Sequence, residues 1–356
     1  MKKLETLRRE IDRIDEQLLE LLNERVRHAA EIGRLKRENG AEIYVASREE
    51  EVLRKLAALN EGPLDEGAIR AIYREIMSAA IALEKPMAIA YLGPEATYTH
   101  QAAVKKFGSS LDYAPVPAIP DVFFAVERGE ADYGVIPIEN STEGAVSHSM
   151  DMFFESNLKI SAQIYLDISH QLLSHSPLER IERVHSKDQA IAQCRKWLAA
   201  NLPKATLQNC DSTAHAVRLA KEDPACAAIA SALAADLYQV PVAAASIQDR
   251  SDNATRFIVI GRESSGYAPG VAFRTSFLLS IDDKVGALEK ALSVFSRRGL
   301  NLSKIESRPS GKAAWEYCFF VDVAGHFEEP PLQEAVAELK TFCPFVKWLG
   351  SYPDTR

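Results

Sequence analysis

A hydroxyl and a guanidinium stand side by side at Thr255-Arg256. The turn-forming pair Asp252-Asn253 precedes them, and the β-branched run Ile258-Val259-Ile260 follows and stops at Gly261. This pattern predicts a loop that delivers two polar groups to the mouth of a buried strand. Two similar polar runs occur earlier. Gly93-Pro94-Glu95-Ala96-Thr97-Tyr98-Thr99 follows the apolar 87–92, and Glu139-Asn140-Ser141-Thr142-Glu143-Gly144 follows 133–138. A glycine-containing turn between a buried strand and a helix is an anion-binding arrangement. Near the N-terminus the chemistry is cationic. Arg25 and Lys36 interrupt an apolar stripe eleven residues apart, three turns and about 16 Å along one helical face. Their long side chains can clasp a small dianion between them. Arg8 lies about 25 Å from Arg25 on the same helix, so it can join that pocket only from a second chain. Arg48-Glu49 opens the next helix.

The elements that position these groups differ along the chain. Leu4, Leu7, Ile11, Ile14, Leu18, Leu21, Leu22, Val26, Ala29 and Ile32 recur at helical spacing, which predicts one helix from about Leu4 to Arg37, ended by Asn39-Gly40. Helices from Ser47, as N-cap, to about Leu59 and from about Leu64 to Leu83 follow. A helix of ~34 residues is roughly 50 Å long, whereas a compact domain of this size has a radius of gyration of about 12 Å. The helix must overhang, its apolar stripe continues along the overhang, and a second chain is expected to cover it in an interlocked dimer. From 87 to 262 strands and helices alternate, the mark of an α/β domain with its cleft at the strand ends. The late return of the Thr255 strand suggests two lobes. After the linker-like 261–272, the order βαββαβ predicts an α+β ferredoxin-like unit over 273–352. The expected domains are 1–86, 87–262 and 273–352.

Composition narrows the function. The 356 residues are 47% hydrophobic and 26% charged, ordinary for a soluble multidomain protein, and a net charge of −8 argues against general nucleic-acid binding. Five scattered cysteines without a CxxC pair suit free thiols in a reducing cytoplasm. There is no signal peptide and no apolar run of membrane-spanning length. The histidines lack metal-ligand spacing, so no metal is assigned.

Leu7-Arg8-Arg9-Glu10-Ile11-Asp12, Leu22-Asn23-Glu24-Arg25, Gly33-Arg34-Leu35-Lys36 and Ser47-Arg48-Glu49 resemble the all-helical chorismate mutase family. The resemblance implies that Arg8 of the other subunit, Arg25 and Arg48 hold carboxylates, that Lys36 donates to the ether oxygen of chorismate, and that Glu49 holds its hydroxyl. A [3,3] rearrangement needs no cofactor, only a folded conformer and stabilised charge on that oxygen. Val45 replaces an aspartate of some members, and Glu84 replaces a glutamine that is the second donor to the ether oxygen. A glutamate donates only when protonated, so a raised Glu84 pKa is expected.

The 93–99 run, Pro137-Ile138-Glu139-Asn140-Ser141-Thr142-Glu143-Gly144, Ala192-Gln193-Cys194 and Thr255-Arg256-Phe257 together resemble prephenate dehydratase, a two-lobed fold like the periplasmic binding proteins. Prephenate loses CO2 and its ring hydroxyl as the ring becomes aromatic. The resemblance implies Thr255 as donor to that hydroxyl, Glu139 as the group that tunes it and Arg256 as carboxylate holder. Thr97, Asn140 and Gln193 would orient the substrate. Gly286-Ala287-Leu288-Glu289 and Glu306-Ser307-Arg308-Pro309-Ser310 resemble the ACT regulatory domain, which implies phenylalanine bound as effector between two such domains. The whole resembles the bifunctional enzymes that convert chorismate to prephenate and then to phenylpyruvate. Arogenate as the dehydratase substrate, and a ligand sensor without chemistry, are the alternative readings.

Overall fold

The structure is a computed structural model that describes residues 2–39, 44–250, 252–309 and 317–355. Gly40, expected to help end the first helix, and Ser310, in the run that resembles the ACT domain, lie outside the described residues. The chain forms two compact units, Met1–Met87 with Phe107–Asp112, and Ala88–Lys106 with Tyr113–Arg356.

The first unit is helical. Its helices are Lys2–Glu38, Ala46–Leu59 and Glu66–Glu84. The first carries Glu5 in its first turn and Lys36 and Arg37 in its last, the polarity that the helix dipole favours. The second begins two residues earlier than expected. Val45 is its N-cap without a side-chain bond, and Ser47 is buried inside the helix rather than capping it. The third is capped by Asp65, which accepts from the Ala68 N–H at 2.7 Å. Arg70 ties the third helix to the second through two bonds to Glu50, at 2.8 and 3.0 Å. Along the first helix Leu4, Leu7, Ile11, Ile14, Leu18 and Leu21 are all exposed.

The second unit contains three sheets. The first has the strand order Asp112–Val116, Ala88–Leu92, Tyr133–Asn140, Ala254–Gly261, Lys159–Asp167, with Gly144–Ala145 paired to Tyr133–Asn140. The second runs Val242–Ala244, Gln171–Leu173, Cys226–Ala230, Arg183–Ser186, Thr206–Asn209. These are the two lobes. Ala254–Gly261 returns late to lie between Tyr133–Asn140 and Lys159–Asp167, antiparallel to both. Its residues 257–260 are almost wholly buried, as a β-branched run flanked on both sides requires.

The third sheet, Leu302–Pro309, Tyr317–Ala324, Phe273–Ser280, Phe345–Pro353, is antiparallel and carries the helices Ala287–Ser296 and Pro330–Leu339. This is the expected βαββαβ order. Its edge strand Phe345–Pro353 packs on Lys159–Asp167 of the first lobe. The approach is close at Gly350, where a Cβ would collide with the Ile160 backbone. Leu278, Phe320, Leu349 and Tyr352 consequently share one apolar core with Ile136, Ile138, Ile160, Ile258 and Ile260.

Candidate functional sites

The helical unit holds a cavity of about 300 Å³. Arg25, Ala29, Ile32 and Lys36 of the first helix line one side, Tyr44, Val45, Arg48, Glu49 and Val52 a second, and Met77, Ala80, Ile81 and Glu84 a third. Of the residues expected to act together here, Arg25, Lys36, Arg48, Glu49 and Glu84 meet; Arg8 does not line the cavity. The Arg48 guanidinium bonds Glu51 at 2.7 Å, and the Tyr44 hydroxyl donates to Glu49 at 2.8 Å. Glu84 sits against Gly33, where a Cβ would collide with its carboxyl group. Burial pushes the Glu84 pKa up, against the opposing pull of Lys36 and Arg37, and this is the direction expected from sequence.

A second cavity, of about 320 Å³, opens between the two lobes. Thr97 and Tyr98 reach it from the turn after the first strand, Asn140 and Glu143 from the end of Tyr133–Asn140, and Gln193 from the short helix Asp188–Gln193. Thr255 and Phe257 reach it from the returning strand and Asn253 from just before it, and His170 and Lys187 are among the other polar residues of the lining. The Thr97 hydroxyl donates to the Leu92 carbonyl at 3.1 Å, which fixes the turn. Asn140 donates to the Thr255 hydroxyl oxygen at 2.8 Å and to the Asn253 carbonyl oxygen at 2.9 Å. Asn253 and His170 both bond the side-chain oxygen of Gln193, at 3.0 and 2.7 Å. Cys194 is buried, and burial pushes its thiol up to about 12, as befits a packing residue.

Two expectations are corrected. Arg256 is not in this cavity. Successive residues of a strand face opposite ways, so with Thr255 and Phe257 on the cleft side Arg256 points to the other. There it is 4% exposed and bonds Asp322 at 2.5 Å, Tyr352 at 2.7 Å and Gln163 at 3.0 Å. Burial alone would lower its pKa, but Tyr352 and Asp322 outweigh that and hold it raised. Glu139 is the register partner of Arg256 and shares its side; its carboxylate pairs with Lys304 at 2.9 Å and does not line the cleft. The carboxylate that does is Glu143, which accepts from Gln193 at 3.1 Å. Sequence reading also passed over Lys187. It is the one cation lining the cleft among the described residues. A lysine just before a helix resembles any solvated surface lysine, and only its place across the cleft from Thr255 distinguishes it.

The third sheet borders a cavity of about 640 Å³ at the start of the helix Ala287–Ser296, lined by Gly286, Ala287, Leu288, Glu289, Tyr317 and Phe319 among others. Gly286 has a φ of 77°, which suits glycine. Glu306, Ser307, Arg308 and Pro309 lie on the edge strand of the same sheet and do not line this cavity. Arg308 instead bonds both oxygens of Asp151 at 3.1 Å and the Ser147 hydroxyl at 2.9 Å.

Residues 7–85 match the family described as Chorismate mutase type II, residues 89–265 Prephenate dehydratase, and residues 275–341 the ACT domain. The chain is 48% identical to a bifunctional chorismate mutase/prephenate dehydratase of Aquifex aeolicus over 99% of its own length and 98% of that protein. It is 41% identical to a Pseudomonas aeruginosa protein of the same name over 98% and 97%. Among solved structures, prephenate dehydratase from Arthrobacter aurescens in complex with L-Phe is 33% identical, with a TM-score of 0.70 over 75% of this chain and 90% of that one.

Proposed function

Because the chain belongs to the family of bifunctional chorismate mutase/prephenate dehydratases and is an enzyme with both activities, we propose that its two cavities divide the two reactions. The mutase occupies residues 1–86, the dehydratase 87–262 and the regulatory domain 273–352.

In the helical cavity Arg25 and Arg48 hold the carboxylates of chorismate, and Lys36 donates to the ether oxygen as it gains charge. Glu49 accepts from the ring hydroxyl. Protonated Glu84 is the second donor to the ether oxygen. Arg8 enters from a second copy, whose helix covers the exposed leucines.

In the cleft the ring carboxylate leaves as CO2. The electrons of its C–C bond enter the ring, the C–O bond breaks, and the departing hydroxide takes a proton to become water. Thr255 donates to that hydroxyl. Lys187 holds a carboxylate in place of the misplaced Arg256, and Thr97, Asn140 and Gln193 orient the ring and side chain. The observation that carries this reading is the convergence of Thr97, Asn140, Gln193 and Thr255, from four separate segments, on one cavity. Thr255→Ala tests it. Dehydratase turnover should vanish while mutase turnover and phenylalanine binding persist; retained dehydratase activity would refute it.

Phenylalanine binds at Gly286, Ala287 and Leu288, where helix N–H groups meet its carboxylate, with the Glu306–Pro309 strand bordering the same site in a pair of regulatory domains. It inhibits by shifting the strand that carries Thr255. Glu143, a carboxylate in the cleft, would also suit the ammonium of arogenate, and comparing turnover of the two acids decides between them.

A further inference from the structure

The cleft is wired by amides, and an amide is useful only the right way round. One bond in the wiring has a donor that cannot be exchanged. The Asn140 side-chain oxygen accepts from the backbone N–H groups of Thr142, at 2.9 Å, and Glu143, at 3.2 Å, and from the Thr142 hydroxyl at 2.6 Å. Backbone N–H groups only donate. The Asn140 amino group must therefore face the other way, and both its protons are used, one on Thr255 and one on Asn253. Two consequences follow in sequence. The Thr255 oxygen is an acceptor from Asn140, so its own proton is left for the cleft. The Asn253 oxygen is likewise an acceptor, so its amino group donates to Gln193 at 3.0 Å and requires oxygen there. The Gln193 amino group then donates to Glu143 on the cleft side.

His170 closes the chain. Its Nε2 lies 2.7 Å from the same Gln193 oxygen and must carry a proton. In a neutral ring Nδ1 is then an acceptor, and the Tyr98 hydroxyl lies 2.9 Å from it, with the Ser169 carbonyl a second acceptor for that hydroxyl at 3.0 Å. His170 is 3% exposed, and burial lowers its pKa while the Gln193 bond opposes the drop. The charged groups lining the cleft beside it are Glu143 and Lys187.

We propose that His170, as its Nε2–H tautomer backed by Tyr98, is a positioning residue of the dehydratase: it locks the Gln193 amide with oxygen to the wall and amino group to the substrate. The lock matters because a prephenate dianion needs donors, and the cleft offers one cation. A turned Gln193 would present an acceptor to the carboxylates instead. This inference rests on the reading that the cleft is the dehydratase site.

The test compares two substitutions in the full-length protein. Glutamine can place an amino group near the Nε2 position of histidine, whereas asparagine reaches only the Nδ1 position. His170→Asn should lower dehydratase kcat/KM roughly 10- to 100-fold, the cost of one lost hydrogen bond to a charged substrate. His170→Gln should restore most of it, and the mutase activity of each preparation reports that the chain is intact. Independently, ring ¹⁵N NMR of the unmodified enzyme should show the Nε2–H tautomer at His170. Equal activity of the two variants, or an Nδ1–H tautomer, would overturn the proposal. Thr255→Ala separates the layers. If it is inactive while His170→Asn is fully active, the cleft stays the site and only the lock is wrong; if Thr255→Ala is active, the site itself is wrong.

Discussion

The helical cavity and the interlobe cleft are about equal in size and, on the proposed assignment, take successive dianionic substrates, yet they are built on opposite plans. Arg25, Lys36 and Arg48 bring three cations to the first; Lys187 alone brings one to the second. A cation attracts an anion whichever way its stem bends, so the first site tolerates long side chains from two separate helices. An amide attracts or repels a carboxylate depending on which end it shows. A site built from Asn140, Gln193 and Asn253 therefore needs their orientations fixed by backbone donors and by His170. The difference matches the chemistry. The rearrangement asks for compression of a flexible substrate and for charge on one oxygen. The dehydration asks that one hydroxyl proton point the right way.

The sharpest way to break this comparison is Lys36→Met. Mutase turnover should fall by about 10³-fold, the scale of removing a preorganised donor from a developing oxyanion, and dehydratase turnover on the same preparation should not change. A loss of both would show that the two sites are not independently built. Next comes Asp322→Ala, which takes from buried Arg256 its nearest counter-charge and leaves only Glu139, at 3.9 Å. Removing one member of a buried pair costs about 3–5 kcal/mol, so denaturant titration should show the loss. Because Arg256 faces away from the cleft, the folded fraction should keep dehydratase activity that Thr255→Ala abolishes. A smaller effect is expected of Lys187→Met: the KM for prephenate should rise about tenfold with kcat nearly unchanged, as for a group that binds ground and transition states alike. If kcat falls instead, Lys187 takes part in the chemistry and the cleft is more electrostatic than the contrast allows. Smallest is a pH effect in the helical cavity. Glu84 donates only as the acid, which survives to higher pH than in a free glutamate because its pKa is raised. Mutase activity should then decline as pH rises through that value, and Glu84→Gln should flatten the profile with at most a few-fold change at pH 6. A wild-type profile flat to pH 9 would remove Glu84 from the machinery.

Much of this was legible in sequence. The 3.6-residue stripe from Leu4 to Ile32 and the apolar run ending at Gly261 identify the elements, because the period of the apolar residues reports helix or strand even where, as along the first helix, the apolar face is exposed. Helical spacing put Arg25 and Lys36 of the helical cavity on one face, whereas Arg48, Glu49 and Glu84 were joined to them by the family resemblance. Arg256 and Glu139 were misjudged for a physical reason already present in the pattern. A strand turns each residue by half a revolution, so the neighbour of a cleft-facing Thr255 must face away, and so must its register partner. The strand Asp112–Val116 is hard to read in sequence because Pro115 demotes such a run to an edge, which is where it lies. The helices Asp188–Gln193 and Arg195–Asn201 are separated at Cys194, whose backbone is not helical, and no glycine or proline in the sequence announces the break. Lys187 and His170 were beyond sequence altogether, because only the closing of two lobes brings them opposite Thr255.

The uncovered leucines of the first helix carry one more consequence. If that face closes only against a second copy, and Arg8 reaches its cavity only from there, then mutase output obeys mass action in the enzyme itself. Serial dilution would starve the first reaction while leaving the second intact so long as the regulatory sheet holds its own fold. The ratio of the two turnover rates, measured across protein concentrations, would then act as a gauge of how much of the enzyme is paired.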